Sequence, residues 1–243
     1  MPGVAMATGP GWGILYAPEL VEHPTPELFQ PARWSGHDAG RAGRGRGVVH
    51  FVAAGAAQWA LRHYRRGGLA GRVLSDRYLW LGTERTRAFR EWRMLQRLWE
   101  AGLPVPRPVA AGWQRRGLAY GADLATVRIP GAQPLSGRLA AGEAIDWEAI
   151  GRTLADFHRA GACHADLNAH NVLLDEAGRA WLLDFDRGRF LSPGGWQRRN
   201  LERLQRSLRK IAGEPGAAPF DPVGWESLLS GYRGALGLRA SSP

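Results

Sequence analysis

His164-Ala-Asp166-Leu-Asn168-Ala-His170-Asn171-Val-Leu-Leu174, followed by Leu183-Asp184-Phe-Asp186-Arg-Gly188, concentrates more chemistry than any other part of this 243-residue chain. Asp166 offers an ionised carboxylate that can accept the proton of an attacking hydroxyl within hydrogen-bond reach. Asn171 and Asp184 offer hard oxygen atoms, which suit Mg2+ when the rest of its shell is water and substrate phosphate. Val172-Leu-Leu174 and Ala180-Trp-Leu-Leu183 are short apolar runs separated by Asp175-Glu-Ala-Gly178-Arg179, the pattern of a hairpin. Such a hairpin brings Asn171 and Asp184 side by side at its open end. A turn rich in Asp, Asn and His beside two core strands would explain a lone His-x-Asp. Asn171 and the Asp-Phe pair that closes the hairpin favour phosphoryl transfer instead.

The arrangement H-x-D-x-x-x-x-N and then D-F-D resembles the catalytic loop of protein kinases, H-R-D-x-x-x-x-N, with its later D-F-G. The resemblance implies an α+β, two-lobed fold, with a small β-rich N-terminal lobe over residues 1–129 and a mostly helical C-terminal lobe over 130–243. The elements read outward from the motif fall in that order. Upstream, Asp146 to Ala160 reads as a helix that stops at Gly161, and Leu118 to Ile129 supplies one or two strands before a hinge at Pro130-Gly131. Glu84 to Gly102 reads as a helix, because Phe89, Trp92, Leu95, Leu98 and Trp99 recur at spacings of three or four. Gln58 to Tyr64 and Val48 to Ala53 read as strands, and residues 1–38 hold one more at Gly13-Ile-Leu-Tyr16. Downstream, Trp196 to Ala212 and Pro222 to Leu236 read as two amphipathic helices.

Gly43, Gly45 and Gly47 precede the Val48 strand and are candidates for phosphate contact through backbone N–H groups that no side chain obstructs. Their spacing is not G-x-G-x-x-G, so a flexible turn reads equally well. Lys210 is the only lysine, so the strand lysine of the kinase pattern is absent. Arg62 takes its place in the order, and a guanidinium can hold phosphate oxygens bidentately. Glu91 stands where a kinase helix carries the glutamate that pairs with that cation; an exposed glutamate beside an arginine is the plainer alternative.

The net charge of +10 points to anionic partners, and all but one of the 32 basic residues are arginine. A GC-rich genome accounts for arginine over lysine but not for the excess of basic over acidic residues. Zinc-ligand spacings, recognition-helix patterns and aromatic-basic sheet motifs for nucleic acid are missing. No run approaches the roughly 18 apolar residues of a membrane span, and Met1 to Trp12 lacks a secretory signal pattern. The single cysteine, Cys163, fits a reducing compartment and reads as a small buried hydrophobe.

Leu61-Arg-His-Tyr64-Arg-Arg-Gly-Gly68, Asp76-Arg-Tyr78, Thr86-Arg-Ala-Phe89-Arg-Glu91 and Gly102-Leu-Pro-Val-Pro106, with the motif quoted first, resemble the 3-deoxy-D-manno-octulosonic acid (Kdo) kinase family. The resemblance runs from about Gly40 to Arg189 and makes Arg62 a family trait. It implies transfer of the ATP γ-phosphate to the 4-hydroxyl of a Kdo sugar on a lipid A precursor, at the cytoplasmic face of the Gram-negative inner membrane. It further implies Asp166 as base, Asn171 and Asp184 as Mg2+ ligands, and Arg62 with Glu91 positioning the ATP phosphates. Arg65, Arg66 and Arg72 are candidates for peripheral contact with that membrane, against an equal reading as solvated surface. Asn168 stands where many protein kinases place a lysine, which argues against an ordinary protein kinase. A heptose kinase of the lipopolysaccharide core, an atypical protein or antibiotic kinase, and a nucleotide-binding pseudokinase scaffold stay open. The intact Asp166 and Asp184 count against the scaffold.

Overall fold

The computed structural model describes residues 3–34, 38–40, 48–65, 77–214 and 219–237. The chain divides into two compact units, Met1–Arg97 with Pro106–Arg128 and Leu98–Val105 with Ile129–Pro243.

The first unit is built on an antiparallel sheet. Its strands are β1 (Ala5–Gly9), β2 (Trp12–Tyr16), β3 (Asp38–Gly40), β4 (Val49–Ala54), β5 (Ala57–His63), β6 (Tyr78–Leu79), β7 (Pro108–Arg116) and β8 (Ala119–Val127). They follow the order β1-β2-β7-β8-β5-β4-β3, with β6 pairing β8 off that path. Alternation along β5 decides what the sheet does. Trp59 and Leu61 point to one face and join a core with Ile14, Val21, Leu28, Val52 and Val109, while Arg62 points to the other. Trp34 packs edge-on against Trp59 at 5.2 Å between ring centroids. At Gly112 of β7 an added Cβ would lie 2.4 Å from a ring carbon of Phe29, so the ring rests where only glycine leaves room. Helix α1 (Arg87–Glu100) buries Phe89, Trp92, Leu95 and Leu98 along one stripe. It starts later than Glu84 because Thr83–Arg85 forms a 3-10 turn.

The second unit is mainly helical. It holds α2 (Leu135–Ala140), α3 (Trp147–Arg159), α4 (Trp196–Ala212) and α5 (Pro222–Ala235), with short strands β9 (Gln133–Pro134), β10 (Ala162–Cys163), β11 (Val172–Leu174), β12 (Ala180–Leu182) and β13 (Arg189–Phe190). Asp146 caps α3 by accepting from the Ala149 N–H at 2.8 Å, and Asp221 caps α5 by accepting from Gly224 N–H at 2.9 Å. Helices α3 and α5 approach backbone to backbone. A Cβ on Gly151 would sit 2.0 Å from the Leu228 carbonyl oxygen, and one on Gly231 would sit 2.3 Å from that of Glu148. The pairing of a β-rich first unit with a helical second one is the mixed α and β architecture the motif order implied. No helix among the described residues is long and apolar enough to cross a membrane.

Candidate active site

The loop from His164 to Asn171 leaves β10 and is held by polar bonds at nearly every residue. His164 is buried; its Nε2–H donates to the Leu183 carbonyl at 2.7 Å and its Nδ1 accepts from the Asp166 N–H at 3.1 Å. Those partners assign the tautomer with hydrogen on Nε2. Burial pushes the imidazole pKa down, which maintains the neutral form the arrangement requires. The buried Asn200 side chain of α4 clamps the same residue from outside the loop. Its Oδ1 accepts from His164 N–H at 3.1 Å and its Nδ2 donates to His164 O at 2.9 Å. The Asp166 carbonyl accepts from Asn168 Nδ2 at 2.9 Å and from Asn171 Nδ2 at 3.0 Å. Asn168 Oδ1 in turn accepts from His170 N–H, Ser207 Oγ from Ala169 N–H, and His170 Nδ1 meets Ser136 Oγ at 2.7 Å.

This scaffold presents the Asp166 carboxylate with 61% of its side chain exposed. Oδ1 accepts from Arg203 Nη1 of α4 at 3.0 Å. The base candidate is therefore fixed at its backbone and steadied at one oxygen.

The hairpin expected between Asn171 and Asp184 is β11 with β12, in register Val172↔Leu182. Leu183 N–H donates to Asn171 O at 2.9 Å, which extends the ladder by one step and sets Asn171 and Asp184 at the open end. Asp175 closes the turn. Its Oδ1 accepts from the Ala177 and Arg179 N–H groups, and its Oδ2 from Trp181 Nε1. Burial works against the ionised carboxyl there, but those donors outweigh it and hold the pKa below the usual value. Asp184 adopts a left-handed backbone with φ 60°, a conformation that non-glycine residues enter rarely and at a cost. Phe185 anchors the strained residue: it is buried, 4.7 Å from the His164 ring and stacked 5.8 Å from Phe157. Asn171 commits its amide nitrogen to Asp166 O, so its polar atom left for a cation is the carbonyl oxygen. A carbonyl and a carboxylate oxygen fit Mg2+. The described residues contain no cluster of three or more His, Cys, Asp or Glu side chains.

In the first unit the structure brings Arg62 and Glu91 together, Nη2 to Oε2 at 2.5 Å. The Tyr64 hydroxyl donates to the same Oε2, and Arg62 Nη2 also donates to that hydroxyl at 3.0 Å. The guanidinium lies 4.7 Å from the Tyr64 ring centre. Burial, reinforced by the Glu91 charge, pushes the phenol pKa well up, so Tyr64 remains a donor. Glu91 is thus buried against Arg62 and Tyr64 rather than exposed on its helix.

Gly43, Gly45, Gly47, Arg66 and Arg72 lie outside the described residues, and Arg65 is exposed. Burial pushes the Cys163 thiol up, which suits a packed side chain in β10 and not a nucleophile. Tyr64, Arg203, Asn200, Ser207 and Ser136 did not emerge from the sequence. For Tyr64 the available signal was its position two residues after Arg62, on the same side of an extended chain.

The sequence model of the lipopolysaccharide kinase (Kdo/WaaP) family matches residues 34–232. A 3-deoxy-D-manno-octulosonic acid kinase of Stenotrophomonas maltophilia (strain R551-3) is 47% identical over 203 residues, covering 83% of this chain and 82% of its own. One of Xanthomonas campestris pv. campestris (strain B100) is 44% identical over 232 residues, 94% of this chain and 93% of its own. Among solved structures, the bifunctional kinase-methyltransferase WbdD aligns with a TM-score of 0.45 and 20% identity, over 86% of this chain and 48% of its own.

Proposed function

Because the chain belongs to the lipopolysaccharide kinase (Kdo/WaaP) family, we propose that it transfers the γ-phosphoryl group of ATP to the 4-hydroxyl of a Kdo residue on a lipid A precursor during lipopolysaccharide core assembly. The observation that carries this reading is the braced loop that exposes Asp166 while holding Asn171 and Asp184 at the mouth of one hairpin.

In this reading the Asp166 carboxylate takes the proton as the acceptor O–H breaks. The acceptor oxygen bonds to the γ-phosphorus, and the bond to the β–γ bridging oxygen breaks to release ADP. Asn171 and Asp184 hold Mg2+, which when bound neutralises charge on the phosphates. Arg62, steadied by Glu91 and Tyr64, binds the ATP phosphates. By their place in the sequence, Gly43, Gly45 and Gly47 are assigned to the same phosphates.

Arg203 favours a sugar acid over a neutral heptose. A cation 3.0 Å from the base stands within reach of groups flanking the reacting hydroxyl. Kdo carries a carboxylate two ring carbons from its 4-position, whereas a heptose has none to offer. The net charge of +10 suits a peripheral enzyme at the anionic cytoplasmic face of the inner membrane, where each basic residue near the surface contributes about 1 kcal/mol of attraction.

Transfer of labelled γ-phosphate from ATP and Mg2+ to Kdo-lipid A precursor, with heptosylated lipid in parallel, tests the reading. The wild type should label the Kdo acceptor, and Asp166→Ala should lose at least about 10²-fold in rate. Labelling of heptosylated lipid alone would transfer the assignment to a heptose kinase.

A further inference from the structure

One corner of the first unit carries apolar side chains that its own packing does not use. Leu79, Leu81 and Leu118 are 61%, 60% and 78% exposed, while Tyr78 and Tyr120 beside them are buried. The leucines come from two adjoining segments. Leu79 pairs with Ala119 across β6 and β8, and the Trp80 N–H donates to the Leu118 carbonyl at 2.9 Å. Gly117, at φ 62°, turns the chain so that Leu118 stands at the hairpin tip. Trp80 lies 4.4 Å from the Trp113 ring and 5.8 Å from that of Tyr120, so an aromatic stack anchors the segment that carries Leu79 and Leu81. Single exposed leucines are ordinary on a protein surface, but adjoining ones mark interaction sites.

Cations surround this rim. The Arg115 guanidinium lies 5.3 Å from the Trp80 ring centre, its Nε donating to Gly117 O at 2.8 Å. Arg77 and Arg116 line a polar groove together with Gln114 and the small residues Ala119 and Gly121. His63 and Asp123 complete its wall as a pair 2.7 Å apart, so the carboxylate there has its own partner. Arginines around exposed leucines and an anchored tryptophan form the composition that seats in the boundary between headgroups and acyl chains.

We propose that this corner is a membrane-docking surface. Leu79, Leu81 and Leu118 enter the interface of an anionic phospholipid bilayer, and the groove between Arg77 and Arg116 receives a lipid phosphate. The positive charge around the rim and the polar, arginine-lined groove beside it select an anionic bilayer over an apolar protein partner. The reason for the enzyme to meet a bilayer rests on the reading of its acceptor as a membrane glycolipid.

Flotation of the purified full chain with phosphatidylglycerol-containing vesicles, and with phosphatidylcholine vesicles alone, decides the point. The wild type should float with the anionic vesicles and stay behind with the neutral ones. Leu79→Ser with Leu118→Ser, and separately Arg77→Gln with Arg116→Gln, should each weaken anionic binding about tenfold or more. Each should keep wild-type transfer to detergent-solubilised acceptor within about twofold. Equal flotation of both variants and wild type overturns the proposal. So does a wild-type dimer that the leucine variant dissociates without loss of vesicle binding, which would make the corner a protein interface. Absence of transfer to solubilised acceptor by the wild type overturns the functional reading instead, and the flotation result still judges the surface.

Discussion

Tyr64 and Arg62 converge on one carboxylate oxygen of Glu91, so the guanidinium that the proposed mechanism assigns to ATP depends on a phenol for its placement. Tyr64→Phe keeps the ion pair and removes two hydrogen bonds to charged groups, each a contribution of about 1.5–3 kcal/mol. Urea unfolding should register that loss, and steady-state kinetics should show KM for ATP rising more than kcat falls. A purely structural role would leave KM unchanged. His158 contributes to the pH response together with the buried His164. Burial lowers the His158 pKa from 6.5 to about 4, with Nδ1 2.8 Å from the Tyr232 hydroxyl. The folded protein keeps this imidazole neutral while the unfolded chain protonates it below pH 6.5, so unfolding takes up a proton and stability falls as pH drops from about 6.5 to 4. The contribution, complete above pH 6.5, amounts to about 3 kcal/mol. Denaturation midpoints measured across that window should fall for the wild type and fall less steeply for His158→Asn, where the buried His164 still contributes in the same direction.

Gly151 and Gly231 explain how α3 and α5 pack. A glycine inside a helix costs about 1 kcal/mol against alanine, and both residues are kept because each faces a backbone carbonyl of the other helix. Gly151→Ala must push the helices apart, and overpacking of about 1–3 kcal/mol or more outweighs the gain in propensity. A lower melting temperature with unchanged helical content by circular dichroism is the expected outcome. The same element scale shows what could be read in advance. Helices α3, α4 and α5 follow the sequence to within a residue, since their apolar residues recur with the helical period and caps or Gly161 mark their ends. Strand β7 escaped because Pro108 to Trp113 is buried throughout and has no alternation to detect. Strand β1, made of Ala, Met, Thr and Gly, carries almost no strand propensity and holds its place by pairing with β2. The juxtaposition of Asn171 and Asp184 was legible because it depends on one local hairpin. Arg203, Ser207 and Asn200 were not, because they reach the loop from a distant helix. Asn200 did leave a trace: it falls between Trp196 and Leu204 on the apolar stripe of α4, where a polar residue requires a buried partner.

At the scale of the whole molecule, the chain joins a β-rich unit to a helical one and carries a net charge of +10, with all but one of its 32 lysine and arginine cations as guanidinium groups. Arginine at position 62 has a practical side. Nucleotide acyl phosphates tag kinases by acylating an amine beside the γ-phosphate, and the proposed mechanism gives that place to a guanidinium paired with Glu91. The chain's only lysine, Lys210, is exposed in the last turn of α4. Such a reagent should therefore modify Lys210 and the α-amino group alone, with no protection by ATP, as peptide mass spectrometry would read directly. Phenylglyoxal, which condenses with guanidinium groups, is the reagent whose action at Arg62 nucleotide should block. Profiling of a proteome that scores lysines by their protection with ATP would pass this enzyme by, and the lone side-chain amine becomes a ready position for a single fluorophore.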